Sequence, residues 1–175
     1  MTVPQRIFPT EDEVTREIAA HSAPPTSIGE QDQHLAAMKD AYDTIYSNVQ
    51  EAKADGVPLN LATSHDMTED QIDEVERNAV RMILAAQSVG LRSLCAHTNE
   101  IRPLVIFCDP PFVMCLDCTN KVSLDGLPEV WENCCDACGA ESSSLMGYQV
   151  TLANLVVTGS VCDTCSERTH PKENK

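Results

Sequence analysis

Six of the nine cysteines fall into three pairs separated by two residues: Cys115/Cys118, Cys135/Cys138 and Cys162/Cys165. Cys95 and His97 form a fourth half-site just upstream. A Cys-x-x-Cys turn can wrap both sulfurs around one tetrahedral ion, so four half-sites describe two four-ligand zinc sites. Catalytic zinc keeps one position open for water, whereas closed cysteine-rich sites are structural; two structural zinc ions are therefore expected. Cys108 and Cys134 stand outside this pattern and read as small buried hydrophobes. Cys134 adjoins Cys135 and is its natural substitute, and His170 is close enough in sequence to Cys165 to be a replacement ligand. His21, His34 and His65 read as solvent-exposed.

Other chemistries fit the residues poorly. A zinc deaminase needs His-x-Glu followed by Pro-Cys-x-x-Cys, but His97 is followed by Thr98 and Asn99, and Met114 precedes Cys115. No His-Glu-x-x-His occurs. A dithiol redox centre uses one Cys-x-x-Cys in a thioredoxin-like context, and three copies without that context argue against it. No glycine-rich phosphate loop is present.

The chain has 27 acidic and 12 basic residues, a formal charge of −15. Residues 1–94 hold 16 acidic and 7 basic side chains, so the acidity is not confined to one half. Four thiolates on one zinc carry about −2 more, and three thiolates with a histidine about −1. Such a surface repels a phosphate backbone, which argues against nucleic acid as partner. It suits a basic protein through electrostatic steering. The N-terminus lacks the apolar core of a signal peptide, and no uncharged run reads as a membrane span, so a cytoplasmic location is expected. In that reducing compartment Cys-x-x-Cys pairs are metal or redox sites and not disulfide staples.

The 175 residues suffice for one good core or two small ones, and the confinement of cysteine to the second half favours two. The expected fold is α+β, an N-terminal helical hairpin followed by a small β-rich zinc module. Residues 1–29 read as a short helix and linker, 30–94 as the hairpin, 95–170 as the double zinc module and 171–175 as a polar tail. Thr10 and Glu13 form a capping box opening a helix to about Ala20. Pro24 and Pro25 stop it. A second helix, about 30–55, places Leu35, Met38, Tyr42, Ile45, Val49 and Ala52 at heptad spacing. Gly56 and Pro58 end it, and residues 57–65 form a loop. Thr68 and Gln71 open a third helix that runs to about Val89, where Gly90 closes it. Its apolar positions are Ile72, Val75, Ala79, Met82, Ala86 and Val89, with Val80 and Ile83 as a second edge toward the zinc half. Matching seams and a short connection predict that the two long helices fold back on each other.

In the second half, residues 102–108 and 112–114 read as a hairpin around Asp109-Pro110-Pro111 that delivers Cys115. Residues 119–124 read as a further strand, and Trp131 as a large core anchor. Residues 145–158 are strand-like, with Tyr148, Val150 and Leu152 alternating against Gln149, Thr151 and Ala153 and a turn signal at Asn154. A turn or two of helix follows over 166–170. Aromatic residues make up only 4% of the chain, so a small core here needs the roughly 10–16 kcal/mol that a structural zinc contributes to folding.

Residues 135–170 carry Cys-x-x-Cys-Gly, then 23 residues to the next pair, then Val-Cys-x-x-Cys before a short helix. This order resembles the treble-clef and zinc-ribbon type of zinc-binding module. The resemblance implies an all-cysteine site of Cys135, Cys138, Cys162 and Cys165. Cys95, His97, Cys115 and Cys118 then remain for a second site. A cross-brace, with alternate half-sites sharing an ion, is the main rival, and a single site from Cys115/Cys118 and Cys135/Cys138 is a third arrangement. Treble-clef nucleases carry histidines between the zinc pairs, and residues 139–161 contain none.

The function expected from these residues is that of a non-enzymatic adaptor or regulatory protein acting through a protein partner. A zinc-finger regulator binding nucleic acid, and a redox-sensing or metal-dependent enzyme, are the alternatives.

Overall fold

The computed structural model describes residues 5–21, 28–54, 68–119, 121, 133–152 and 154–169. The loop over 57–65, Trp131, His65, His170 and the polar tail lie outside the described residues.

Local signals place the helices where sequence puts them. Helix α1 spans Glu11–His21, with Glu13 Oε2 accepting from the Thr10 amide at 2.8 Å and Thr10 Oγ1 accepting from the Glu13 amide at 3.3 Å. Helix α2 spans Ile28–Ala54 and α3 spans Glu69–Ser88. The reciprocal capping box of α3 is complete: Gln71 Oε1 accepts from the Thr68 amide at 2.9 Å, and Thr68 Oγ1 from the Gln71 amide at 3.3 Å. Such a box satisfies two otherwise orphaned helix donors. Beyond α3 the chain turns through Gly90 at φ +88°, a conformation that costs glycine nothing.

Five strands form one sheet in the order β1-β3-β2-β5-β4. Two hairpins build it: β2 (Leu104–Phe107) with β3 (Phe112–Cys115), and β4 (Leu145–Leu152) with β5 (Leu155–Cys162). Phe107 and Phe112 stack at 4.4 Å and close the first. The strand-like run from Leu145 thus folds back at the Asn154 turn signal. The hairpins join through parallel β2 and β5, in register from Leu104↔Leu155 to Phe107↔Thr158. A two-residue strand, β1 (Arg92–Ser93), runs parallel to β3. Short helices α4 (Leu116–Thr119) and α5 (Asp163–Thr169) follow β3 and β5 directly. Thr119, expected to open a strand, instead closes α4, with its hydroxyl donating to the Leu116 carbonyl at 2.6 Å. Beyond it only Lys121 of that run is described.

The two long helices do not pack as an antiparallel pair. Adjacent residues of a strand point to opposite faces of a sheet, and here Val105 and Val156 bury against Ala41 of α2. Their neighbours Ile106 and Val157 bury with Ala79, Met82 and Ile83 of α3. The sheet therefore lies between α2 and α3, and the core runs continuously across residue 94. The first half of the expected α2 seam is turned outward: Leu35, Met38 and Tyr42 are exposed, while Ala37 and Ala41 are buried; the side chains of Ile45, Val49 and Ala52 lie outside the described residues. Alanine lets a helix approach a sheet face already filled by valines, which the larger seam residues would prevent. On α3 the expected seam is buried at Ala79, Met82 and Ala86, Ile83 adds the expected second edge, and Ile72 stays exposed.

Helix α1 packs against α3, with Val14 fully buried and Glu11 pairing with Arg81 at 2.8 Å. Helix α5 also lies on α3, where Asn78 Nδ2 donates to the Cys165 carbonyl at 3.4 Å. Strand β5 is tightly enclosed at Gly159: an added Cβ would lie 2.5 Å from Asp136 Oδ2 and 2.7 Å from Met82 Cε. Gly159→Ala is expected to lower stability by about 1–3 kcal/mol through overpacking, read as a lower urea midpoint. Gly147→Ala on β4, where a Cβ meets nothing within 4 Å, should leave the midpoint at or above that of the parent chain.

Candidate metal centres

The first centre is assembled by the small end of the sheet. The Leu94 amide donates to the Val113 carbonyl at 2.9 Å, continuing the β1·β3 pairing and bringing Cys95 beside the end of β3. Cys95 precedes a single 3₁₀ turn, Ala96–Asn99, that carries His97. Cys115 ends β3 and Cys118 sits in α4. The four donor atoms lie within 4.8 Å of one another. His97 Nδ1 is 3.5 Å from the sulfurs of both Cys115 and Cys118. Tetrahedral zinc with ordinary Zn–S and Zn–N bonds requires N···S edges of about 3.5–3.6 Å, so the residues present fit the ion.

The second centre joins a turn to the end of the long hairpin. The turn carrying Cys135 and Cys138 is closed by the Gly139 amide donating to the Cys135 carbonyl at 2.8 Å and by the Cys135 amide donating to the Ala140 carbonyl at 2.9 Å. Gly139 sits at φ +74°. Cys162 ends β5 and Cys165 lies in α5. These four sulfurs also converge within 4.8 Å, with Cys138 Sγ and Cys162 Sγ 3.8 Å apart. That separation is the S···S edge of a ZnS₄ tetrahedron, about 3.8 Å. The half-sites are grouped sequentially, and neither the cross-brace nor the single-site arrangement is assembled.

Within each cluster the thiols compete for charge. Cys135 is drawn down to about 4, chiefly by a hydrogen bond from the Cys165 thiol, against the opposing effect of burial and with help from the backbone amides of Cys162, Cys138 and Ala137. Cys165, holding that proton beside a thiolate, is pushed up. In the first centre the Cys115 amide, 3.2 Å from Cys95 Sγ, draws Cys95 down to about 7. Cys118 is pushed up to about 11, first by its hydrogen bond to Cys115. Neighbouring thiols cannot all ionise without a cation between them. Protons held by Cys118 and Cys165 must therefore leave when a metal binds, which makes affinity fall as pH falls.

The two remaining cysteines keep out of both clusters. Cys108 is buried in the main core, and burial pushes its thiol up. Cys134 is half-buried and forms an isolated β-bridge with Glu141. Cys135, and not its neighbour, faces the second centre.

Sequence reading missed the residues that support the centres. Asp136 lies inside the second Cys-x-x-Cys turn, is 2% exposed, and bonds to the backbone of β5 at Ser160 through both its amide (2.8 Å) and Oδ2 (2.7 Å). Arg6, 130 residues earlier, pairs with its other carboxylate oxygen and donates to the Cys108 carbonyl. Burial still pushes the Asp136 carboxyl up, against the pull of the Ser160 amide and Arg6. The ring of Phe8 sits against Gly139, where an added Cβ would be only 2.4 Å from it. At the first centre Arg102 pairs with Glu100 and, at 3.6 Å, with Asp117, and the neighbouring Cys115 helps to raise its pKa against burial. The only sequence signal was a charge within each motif's neighbourhood; nothing local pairs Arg6 with Asp136.

Native mass spectrometry of the full chain should count two zinc ions, falling to one in Cys162→Ser and in Cys115→Ser; two ions in either variant would contradict the ligand sets. Arg6→Ala should lower unfolding free energy by about 3–5 kcal/mol, because it leaves a buried carboxylate unpaired, while both ions remain bound in the folded protein. A change within about 0.5 kcal/mol, the range of ordinary surface substitutions, would show that the pair carries little.

No protein-family model, curated protein or solved structure matched the chain in comparison.

Proposed function

We propose that this chain is a non-enzymatic adaptor, an acidic body stiffened by two structural zinc ions that presents its surface to a basic protein partner. The observation that carries the reading is the donor count: each centre offers four converging ligands, which fills a tetrahedral zinc and leaves no position for water or substrate. The order of turn, β4–β5 hairpin and α5 around Cys135, Cys138, Cys162 and Cys165 supports a treble-clef reading of the second centre. Nine free thiols suit a reducing compartment, so the cytoplasm is the proposed location.

A cavity of about 210 Å³ opens beside Cys138, lined by residues including Phe8, Asn78, Arg81 and Arg168. Its cations are already engaged. Arg81 pairs with Glu11 and Glu74, and Arg168 lies 3.8 Å from Glu74. This supports a role in packing over one in binding an anionic substrate. Among the described residues no helix is long and apolar enough to cross a membrane.

The test uses the zinc-loaded chain as bait against a panel of purified basic and acidic proteins, and against duplex and single-stranded DNA. Binding is expected to basic proteins alone, with association slowing steeply as salt rises and lost on chelation. Retention of either form of DNA at low salt would overturn the reading in favour of a nucleic-acid regulator.

A further inference from the structure

Strand β4 is the outer strand of the sheet on the β5 side. Its eight residues, Leu-Met-Gly-Tyr-Gln-Val-Thr-Leu, include no charge and no proline, and they pair with β5 without a bulge from Leu145↔Cys162 to Leu152↔Leu155. Natural edge strands are ordinarily guarded by lysine, proline, a bulge or brevity. None of those guards is present on β4.

The register identifies the groups that face outward. Parallel pairing sends the Leu104 amide to the Asn154 carbonyl and the Cys108 amide to the Thr158 carbonyl, so even-numbered residues of β5 direct their backbone groups toward β2. Odd-numbered residues therefore bond β4, through its even-numbered partners Met146, Tyr148, Val150 and Leu152. The amides and carbonyls of Leu145, Gly147, Gln149 and Thr151 point away from the sheet. Among the described residues no other element donates to or accepts from Gly147, Gln149 or Thr151.

Charge selects the occupant. The helices that contact β4 are α2, α3 and α5, and together they carry twelve acidic and five basic residues. We infer that the β4 edge is a docking site for an extended peptide segment of a partner protein, an uncharged β-forming stretch flanked by arginine or lysine, that adds to the sheet as a sixth strand. Main-chain hydrogen bonds to Gly147, Gln149 and Thr151 give the pairing, alternate side chains its register, and the acidic helices its preference for basic flanks. The choice of a basic partner rests on the adaptor reading; the edge geometry does not.

The probe is a synthetic peptide of alternating valine and threonine with two arginines at each end, added to the zinc-loaded full chain. Binding should protect the Gly147, Gln149 and Thr151 amides from hydrogen exchange. Two variants test the edge. Gly147→Lys restores a guard at an exposed position where an added Cβ meets no neighbour within 4 Å. Gln149→Pro removes an outward amide and no bond to β5. Both should weaken binding by at least about tenfold, some 1.4 kcal/mol, with an unchanged thermal midpoint in Gly147→Lys. Peptide binding that is equal in parent and Gly147→Lys, with no protection on β4, would overturn the docking site while leaving a basic partner in place. No binding of this peptide or of any basic protein would overturn both readings. A concentration-dependent dimer that disappears in Gly147→Lys would assign the edge to a second copy of the chain and overturn the peptide proposal.

Discussion

The carboxylate of Asp136 is the point at which four parts of the chain meet. It lies within the turn that presents Cys135 and Cys138, so its position sets theirs. Its amide and one oxygen take the backbone groups of Ser160, extending the edge of β5 where β2 has ended. Its other oxygen holds Arg6, which also reaches the Cys108 carbonyl beyond the end of β2. A buried carboxylate is costly unless paired and fully hydrogen-bonded, so the N-terminal segment, the metal turn and both hairpins are constrained together. Gly159 follows from the same constraint, since only a residue without Cβ leaves room for that carboxylate beside Met82.

Around this node the sheet is a partition between two unlike helix contacts. On one side α3 brings Ala79, Met82 and Ile83 down onto β5 and the second metal turn. On the other, α2 approaches through Ala37 and Ala41, which are small enough for close contact but bury little area. Hydrophobic stabilisation scales with apolar area removed from water, so among the described residues the α2 side contributes less than the α3 side. Leu35, Met38 and Tyr42, which would have added area, face outward instead.

The metal centres complete the same economy. Each takes its ligands from the ends of elements already aligned by the sheet: β3 and α4 for the first, β5 and α5 for the second. Interatomic separations of 3.5 Å and 3.8 Å match tetrahedral edges, so the backbone supplies the geometry and zinc would supply folding free energy to a chain with few aromatic side chains. Thiolate charge is balanced differently in the two. The Cys115 amide draws Cys95 down in the first, whereas the Cys165 thiol is the chief influence that draws Cys135 down in the second.

What the sequence by itself determined was local. The capping boxes at Thr10 and Thr68, the hairpin around Asp109-Pro110-Pro111, the alternation of Tyr148, Val150 and Leu152, and the two groups of four candidate ligands were all legible, because each depends on residues within a few positions or on a motif with fixed spacing. Only the tertiary structure decided which side of α2 turns inward, since Leu35, Met38 and Tyr42 make as good a seam on paper as the buried Ala37 and Ala41, the latter packed on Val105 and Val156. It alone joined the two hairpins through β2 and β5, and it alone paired Arg6 with Asp136. Those choices compare the burial of whole surfaces and the cost of stranding a charge, quantities that arise when distant segments meet and that periodicity along one segment does not contain.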